Sequence, residues 1–166
     1  MGFWRAALYL AALALLSHVV GERLPRRWFD PARRPFAPVS WEKEGRVYER
    51  LGIRFWKDRL PDMSRLDPRM QRKQLRAVRS REELTRLLRE TCVAETVHWV
   101  LILLSPPLLW LWPGMGGIIV LILDVLLGNL PYILIQRYNR PRLAALLHRR
   151  SRRERNELHE DPDPLR

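Results

Sequence analysis

Residues 97–135 read VHWVLILLSPPLLWLWPGMGGIIVLILDVLLGNLPYILI. From Val97 to Leu123 the run holds no Asp, Glu, Lys or Arg, and only Asp124 interrupts it before Ile135. One membrane-crossing helix needs about 20 apolar residues, so a run this long must turn back on itself. The reversal signal is Trp112-Pro113-Gly114-Met115-Gly116-Gly117, where a proline and three glycines break the helical pattern. The sequence therefore predicts a transmembrane helical hairpin over residues 95–136 with an uncharged tip.

Working outward, a second apolar block lies at the amino end. Phe3 to Val20 contains only Arg5, Ser17 and His18 as polar interruptions. It is long enough for a short span and longer than many signal-peptide cores. Val19-Val20-Gly21 is a passable cleavage site, but no A-x-A motif follows, so residues 1–20 are read as a retained first transmembrane helix. The expected fold is an all-α integral membrane protein with three transmembrane helices. Residues 21–94 form a basic, partly helical cytoplasmic or interfacial region between the first and second spans. Residues 137–166 form a basic cytoplasmic tail, expected to be disordered at its Asp161-Pro162-Asp163-Pro164 end.

Charge supports that division. The chain has 30 Lys and Arg against 18 Asp and Glu, a net charge of +12, and nearly all of the excess lies in the two segments flanking the apolar blocks. Basic flanks mark the cytoplasmic side of a span. Arg137, Arg140 and Arg142 crowd the exit of the last span, whereas the hairpin tip is neutral. This places the tip and the amino terminus outside, and the carboxyl terminus and the 21–94 region inside. Trp4, Trp110 and Trp112 then fall at the outer interface, and Trp28, Trp41, Trp56 and Trp99 at or near the inner one. Nucleic-acid binding is not indicated, because the charge follows the span ends and no recognition motif is present. A lone cysteine, Cys92, excludes an internal disulfide and reads as a small buried side chain.

Within the inner region, Asp67-Pro68 and Ser80-Arg81-Glu82-Glu83 are helix starts, the second a capping box. Ser40-Trp41-Glu42-Lys43 can open a further helix holding Val47, Tyr48 and Leu51, followed by Ile53, Phe55 and Trp56. Basic and aromatic residues interleave there, as in segments lying on anionic lipid; a solvated basic domain packed on itself is the alternative.

Some polar residues need a reason. At helical spacing Leu84, Leu87, Leu88, Thr91, Glu95 and His98 share one narrow face. Glu95 and His98, three residues apart at the entrance of a span, either orient a general base or anchor the loop by a salt bridge. On the last span Asn129, Gln136 and Arg140 share a face, with Pro131 freeing a backbone carbonyl between them. His18 can reach the same layer, and with Glu95 and His98 would supply three metal ligands, but H-E-x-x-H is absent and no cofactor is called for. Asp124 falls deeper and on a different face, as an interhelical hydrogen-bonding group. The arginine cluster either sets topology or clamps a phosphate or carboxylate.

Glu95-Thr96-Val97-His98-Trp99, together with Asn129-Leu130-Pro131 and Gln136-Arg137-Tyr138-Asn139-Arg140-Pro141-Arg142-Leu143, resembles the two signatures of the glycosyl-4,4'-diaponeurosporenoate acyltransferases. Trp41-Glu42-Lys43-Glu44-Gly45 to Trp56-Lys57, and Arg23-Leu24-Pro25, are similar more weakly. The likeness extends to about Leu147. It implies transfer of a fatty acyl chain to a sugar hydroxyl of a glycosylated carotenoid, from a donor expected to be an acyl thioester. On that footing His98 activates the hydroxyl, Glu95 orients it, Asn129 or Gln136 stabilises the oxyanion, and Arg137 and Arg140 hold the donor. Tyr138, Asn139, Arg142, Trp56 and Lys57 complete the expected substrate contacts. No serine or cysteine stands convincingly as a nucleophile, Ser105 and Cys92 being the nearest, so direct transfer is expected. The rival reading is a non-catalytic membrane protein whose basic inner face docks a partner enzyme or anionic lipid.

Overall fold

The computed structural model describes residues 1–60 and 80–160, and its regular structure there is entirely helical. Helix α1 spans Gly2–Arg23. It stops before Pro25, where Leu24 turns extended, because a residue preceding proline is pushed out of the helical region. The last-turn carbonyls left without partners are capped from outside: the Arg26 guanidinium donates to the oxygens of Gly21, Glu22 and Leu24 at 2.8, 2.8 and 2.7 Å.

The inner region is built of short pieces. Single 3-10 turns at Arg26–Trp28 and Ser40–Gly45 precede α2, Arg46–Arg50, and α3, Ile53–Trp56. The continuous helix expected from Ser40 is thus broken at Gly45 and Gly52, which adopt positive φ of 84° and 67°. Gly45 is also required by contact, since a Cβ there would lie 3.0 Å from an Arg142 nitrogen and 3.4 Å from the Tyr138 carbonyl. The helix start at Asp67-Pro68 lies outside the described residues.

The capping box at Ser80 forms: the Glu83 amide donates to Ser80 Oγ at 3.2 Å and opens α4, Arg81–Leu103. Its predicted stripe faces inward, with Leu84, Leu88, Thr91 and Glu95 buried. The apolar run reverses earlier than Trp112. Helix α4 ends at Leu103, and Ser105-Pro106-Pro107 leads into a one-turn helix α5, Leu108–Leu111, before the chain re-enters at Gly114. Consecutive prolines cannot continue the helical hydrogen bonds, so the tip occupies the whole stretch from Leu104 to Gly114. Gly117 fits beneath it with no room for a side chain, because a Cβ would come within 2.1 Å of the Trp112 carbonyl. The return strand of the hairpin is α6, Met115–Leu123, a π-helical segment Asp124–Asn129, and α7, Leu130–Glu160. Helix α7 carries the charged sequence after Arg149 as helix to Glu160.

Helix α1 runs beside this hairpin with its amino end at the tip. Phe3 meets the Trp112 ring edge-on at 5.7 Å, and the Tyr9 hydroxyl donates to the Leu104 carbonyl at 2.6 Å. At its other end Gly21 approaches Val97. Two helical stretches, Gly2–Arg23 and Met115–Asn156, are long and apolar enough to cross a membrane, and their most apolar windows are only 6% and 11% buried. An exposed apolar belt runs over Trp4, Leu8, Leu15, Leu16, Ile118, Ile122 and Leu126, the surface that lipid would cover. Helix α4 differs from both, charged from Arg81 to Glu90 and apolar only beyond Glu95.

Candidate active site

The two polar stripes meet where α4 packs against α7, but they pair differently from the sequence expectation. His98 Nδ1 lies 3.0 Å from Asn129 Oδ1, across the hairpin. The ring stacks on Tyr132, centroids 4.7 Å apart and planes 7° from parallel. Asn129 is buried at 2% exposure. Its amide nitrogen donates to the Asp124 carbonyl at 3.0 Å and to Asp124 Oδ2 at 3.2 Å. Asp124 Oδ2 in turn sits 2.5 Å from the hydroxyl of fully buried Ser105. The result is a chain Ser105, Asp124, Asn129, His98, with its first member in the tip.

Asp124 enters this chain because of the π segment. At ordinary α spacing, residues five apart point to different sides of a helix. In an i→i+5 turn they come round to the same side, and that is what brings the Asn129 amide onto the Asp124 carbonyl. Periodicity at 3.6 residues therefore put Asp124 on the wrong face.

Glu95 is engaged elsewhere. Its Oε1 accepts from Arg137 Nε at 2.8 Å and its Oε2 from Arg140 at 2.5 Å. Arg140, 3% exposed, also donates to Thr91 Oγ1 at 2.9 Å, to the Thr91 carbonyl at 3.1 Å and to the Phe36 carbonyl at 2.7 Å. Arg137 reaches Glu42 at 2.8 Å and the Pro35 carbonyl at 2.9 Å. Glu42 is buried, takes the backbone amide of Val39 at 2.8 Å, and accepts a very short hydrogen bond from the Tyr48 hydroxyl. Burial opposes the charge of Glu42, but the bonds from Tyr48, Arg137 and Val39 outweigh it and hold its carboxyl below the usual carboxylate range. For Tyr48 burial comes first and the Glu42 carboxylate second; both push the phenol well above its ordinary value. Two carboxylates and two guanidiniums thus form one closed network of mutually satisfied partners. Glu42 and Tyr48 were missed from sequence as site residues; the only signal was their place in the weaker of the matching stretches.

A third group lies around Tyr138. Its buried ring packs with Tyr48, Ile53 and Trp56 and carries the Arg142 guanidinium 3.5 Å above its centre, while Arg142 also pairs with Glu49. The Trp56 indole donates to the Leu51 carbonyl at 3.0 Å, and Lys57 pairs with Asp58 at 3.3 Å. Gln136 and Asn139 are partly buried on α7 and make no hydrogen bonds among the described residues. His18 lies away from all three groups in its contacts, on exposed α1 surface 3.5 Å from Glu22. Among the described residues no group of three or more His, Cys, Asp and Glu side chains is placed to hold a metal ion.

The structure thus brings His98 to Asn129, and Glu95 to Arg137 and Arg140, as two adjacent but separate assemblies. The sequence profile of the glycosyl-4,4'-diaponeurosporenoate acyltransferases matches residues 25–149, which include both. A glycosyl-4,4'-diaponeurosporenoate acyltransferase of Staphylococcus aureus strain N315 is 29% identical over 145 residues, covering 85% of this chain and 84% of its own length. The protein of the same description from the bovine strain RF122 / ET3-1 is 30% identical over 146 residues, with the same coverage. No solved structure matches the chain. With most of its length, and every residue of the two assemblies from Glu42 to Arg140, inside the matched span, the chain belongs to the glycosyl-4,4'-diaponeurosporenoate acyltransferase family.

Proposed function

We propose that this protein is a membrane-bound acyltransferase that moves a fatty acyl chain from a thioester donor to a sugar hydroxyl of a glycosylated carotenoid or similar glycolipid. The observation that carries the proposal is the His98 imidazole held by Asn129 and stacked on Tyr132 between apolar helices. His98 takes the proton of the sugar hydroxyl as its oxygen attacks the thioester carbonyl. The new C–O ester bond forms, the C–S bond breaks, and the departing thiolate receives the proton. Gln136, whose amide is not engaged among the described residues and which follows Tyr132 by one turn, is assigned to the oxyanion in preference to Asn129, whose N–H groups serve Asp124. Arg137 retains N–H groups at a side chain 18% exposed and is the member of the arginine pair assigned to the donor.

The site belongs at the inner leaflet, with three spans formed by α1, the upper half of α4 with α5, and α6 with the start of α7. The amino terminus is outside and the carboxyl terminus cytoplasmic. A neutral tip against a basic 137–166 segment supports that direction. Both substrates are lipid-linked, so a site at the interface gathers and orients them. Comparing cellular lipids by mass spectrometry with and without the gene product, and with His98→Ala, tests the activity. An acylated glycolipid made equally by all three overturns it. Reporter fusions after Gly21, Gly114 and Leu147 are expected to read inside, outside and inside; an outside reading at Leu147 overturns the topology.

A further inference from the structure

We propose that Asp124, acting through Asn129 and braced by Ser105, is a positioning residue that fixes His98 as the Nδ1–H tautomer and leaves Nε2 as its free lone pair. The proposal rests on the reading of His98 as the base but makes a separate claim about where its proton sits.

The inference follows from counting donors and acceptors. An asparagine side chain offers one acceptor oxygen and one donor nitrogen, and its orientation is decided by what each end faces. One end of the Asn129 amide faces the Asp124 carbonyl at 3.0 Å and Asp124 Oδ2 at 3.2 Å. A backbone carbonyl can only accept, so that end is the NH2 group. The other end is therefore the oxygen, and it faces His98 Nδ1 at 3.0 Å. An amide oxygen only accepts, so in neutral imidazole the hydrogen must be on Nδ1. In water neutral histidine prefers the opposite form, with hydrogen on Nε2, so the site works against the ring's own preference. Stacking on Tyr132 removes the ring's freedom to turn over and present Nε2 instead.

Asp124 makes the arrangement rigid. Its carboxylate adds a second acceptor for the Asn129 NH2 and is itself held by Ser105, whose Oγ also lies 2.8 Å from the Leu101 carbonyl at the end of α4. The two sides of the hairpin are thereby locked together beside the ring they orient. Gly128 sits over the same carboxylate, and a Cβ there would come 3.3 Å from Asp124 Oδ1. Removing partners that orient a histidine from behind commonly costs ten- to a hundredfold in function.

The test is 15N nuclear magnetic resonance of histidine-labelled full-length protein in lipid nanodiscs, with turnover measured on the same samples. For the unaltered protein the His98 signals are expected to show protonated Nδ1 and unprotonated Nε2. Asn129→Ala is expected to convert the ring to the Nε2–H form. Asp124→Ala is expected to give a mixture of the two, with kcat lowered about tenfold and KM for donor and acceptor unchanged. If Asp124→Ala fails to accumulate, Gly128→Ala keeps every polar atom while displacing the carboxylate, and the same mixture with a several-fold loss of kcat is expected. An Nε2–H ring in the unaltered protein overturns the proposal. So does an Asp124→Ala or Gly128→Ala protein with an unchanged tautomer and unchanged kcat. Full activity in His98→Ala would instead overturn the assignment of the base, while the spectrum still decides the tautomer.

Discussion

Two polar assemblies lie one helical turn apart on α4, and they are built on opposite plans. Around Glu95, charges are paired with charges: Arg137, Arg140, Glu42 and Tyr48 satisfy one another almost completely. Around His98, the partners are an amide, a hydroxyl and a carboxylate reached through that amide, and one ring nitrogen remains for a substrate. A buried charge without a partner is costly, so a closed ionic network holds helices together and resists change. A polar chain that ends on an unfilled atom has a place for a reactant. The difference assigns the architecture to Glu95 and the chemistry to His98, although the sequence placed the two residues together.

The sharpest attempt to break this division is Arg140→Ala. Losing one member of a buried ion pair typically costs about 3–5 kcal/mol, and Arg140 is 3% exposed, so the variant is expected to lose most of its membrane accumulation and to melt at much lower temperature in detergent. The double change Glu95→Leu with Arg140→Met removes both charges and is expected to recover much of that stability. If Arg140→Ala accumulates normally and only weakens donor binding, the ionic group is a substrate site after all. Next in size, His98→Ala is expected to reduce acyl transfer about a hundredfold or more while accumulation and melting stay near normal. A His98→Ala protein that melts early and transfers normally would reverse the two roles.

A third test uses pH. The Glu42 carboxyl is held below the usual range in the folded protein, so its ionised form contributes stability above the unfolded value. That contribution is lost as pH falls through the folded value. Melting midpoints measured in detergent from pH 7 downward are expected to fall once pH passes below about 4.5, and to fall less steeply in Glu42→Gln. The smallest effect is expected from Arg142→Lys. It gives up planar stacking on Tyr138 and retains charge opposite Glu49, for about 0.5–1 kcal/mol.

Much of the arrangement was readable from residue types and spacing. The leucine stripe of α4, its start at Ser80 and the inward face holding Asn129 and Arg140 follow from the period of an undistorted helix. The family signatures pointed to the same residues. What spacing could not supply was contact between segments far apart in the chain. Glu42 and Tyr48 meet Arg137 only because Gly45 lets a short loop press against α7, and nothing local announces that return. Asp124 was misplaced for a different reason: the π segment alters the angle each residue turns, and a fixed period is blind to that. The early stop at Ser105-Pro106-Pro107 was legible in principle, yet the proline and glycines around Trp112 drew the reversal towards themselves.

That widened turn also changes how the chain tolerates insertion and deletion. The segment Asp124–Asn129 holds one residue more than an α-helical path would need. Deleting any one of its residues would let the helix run on as a regular α-helix, rotating everything after it by about 100°. Tyr132, Gln136, Arg137 and Arg140 would all swing away from α4 together, although none of them had been altered. A surplus residue in the middle of an apolar segment thus sets the rotational phase of the 31-residue helix Leu130–Glu160 that follows it.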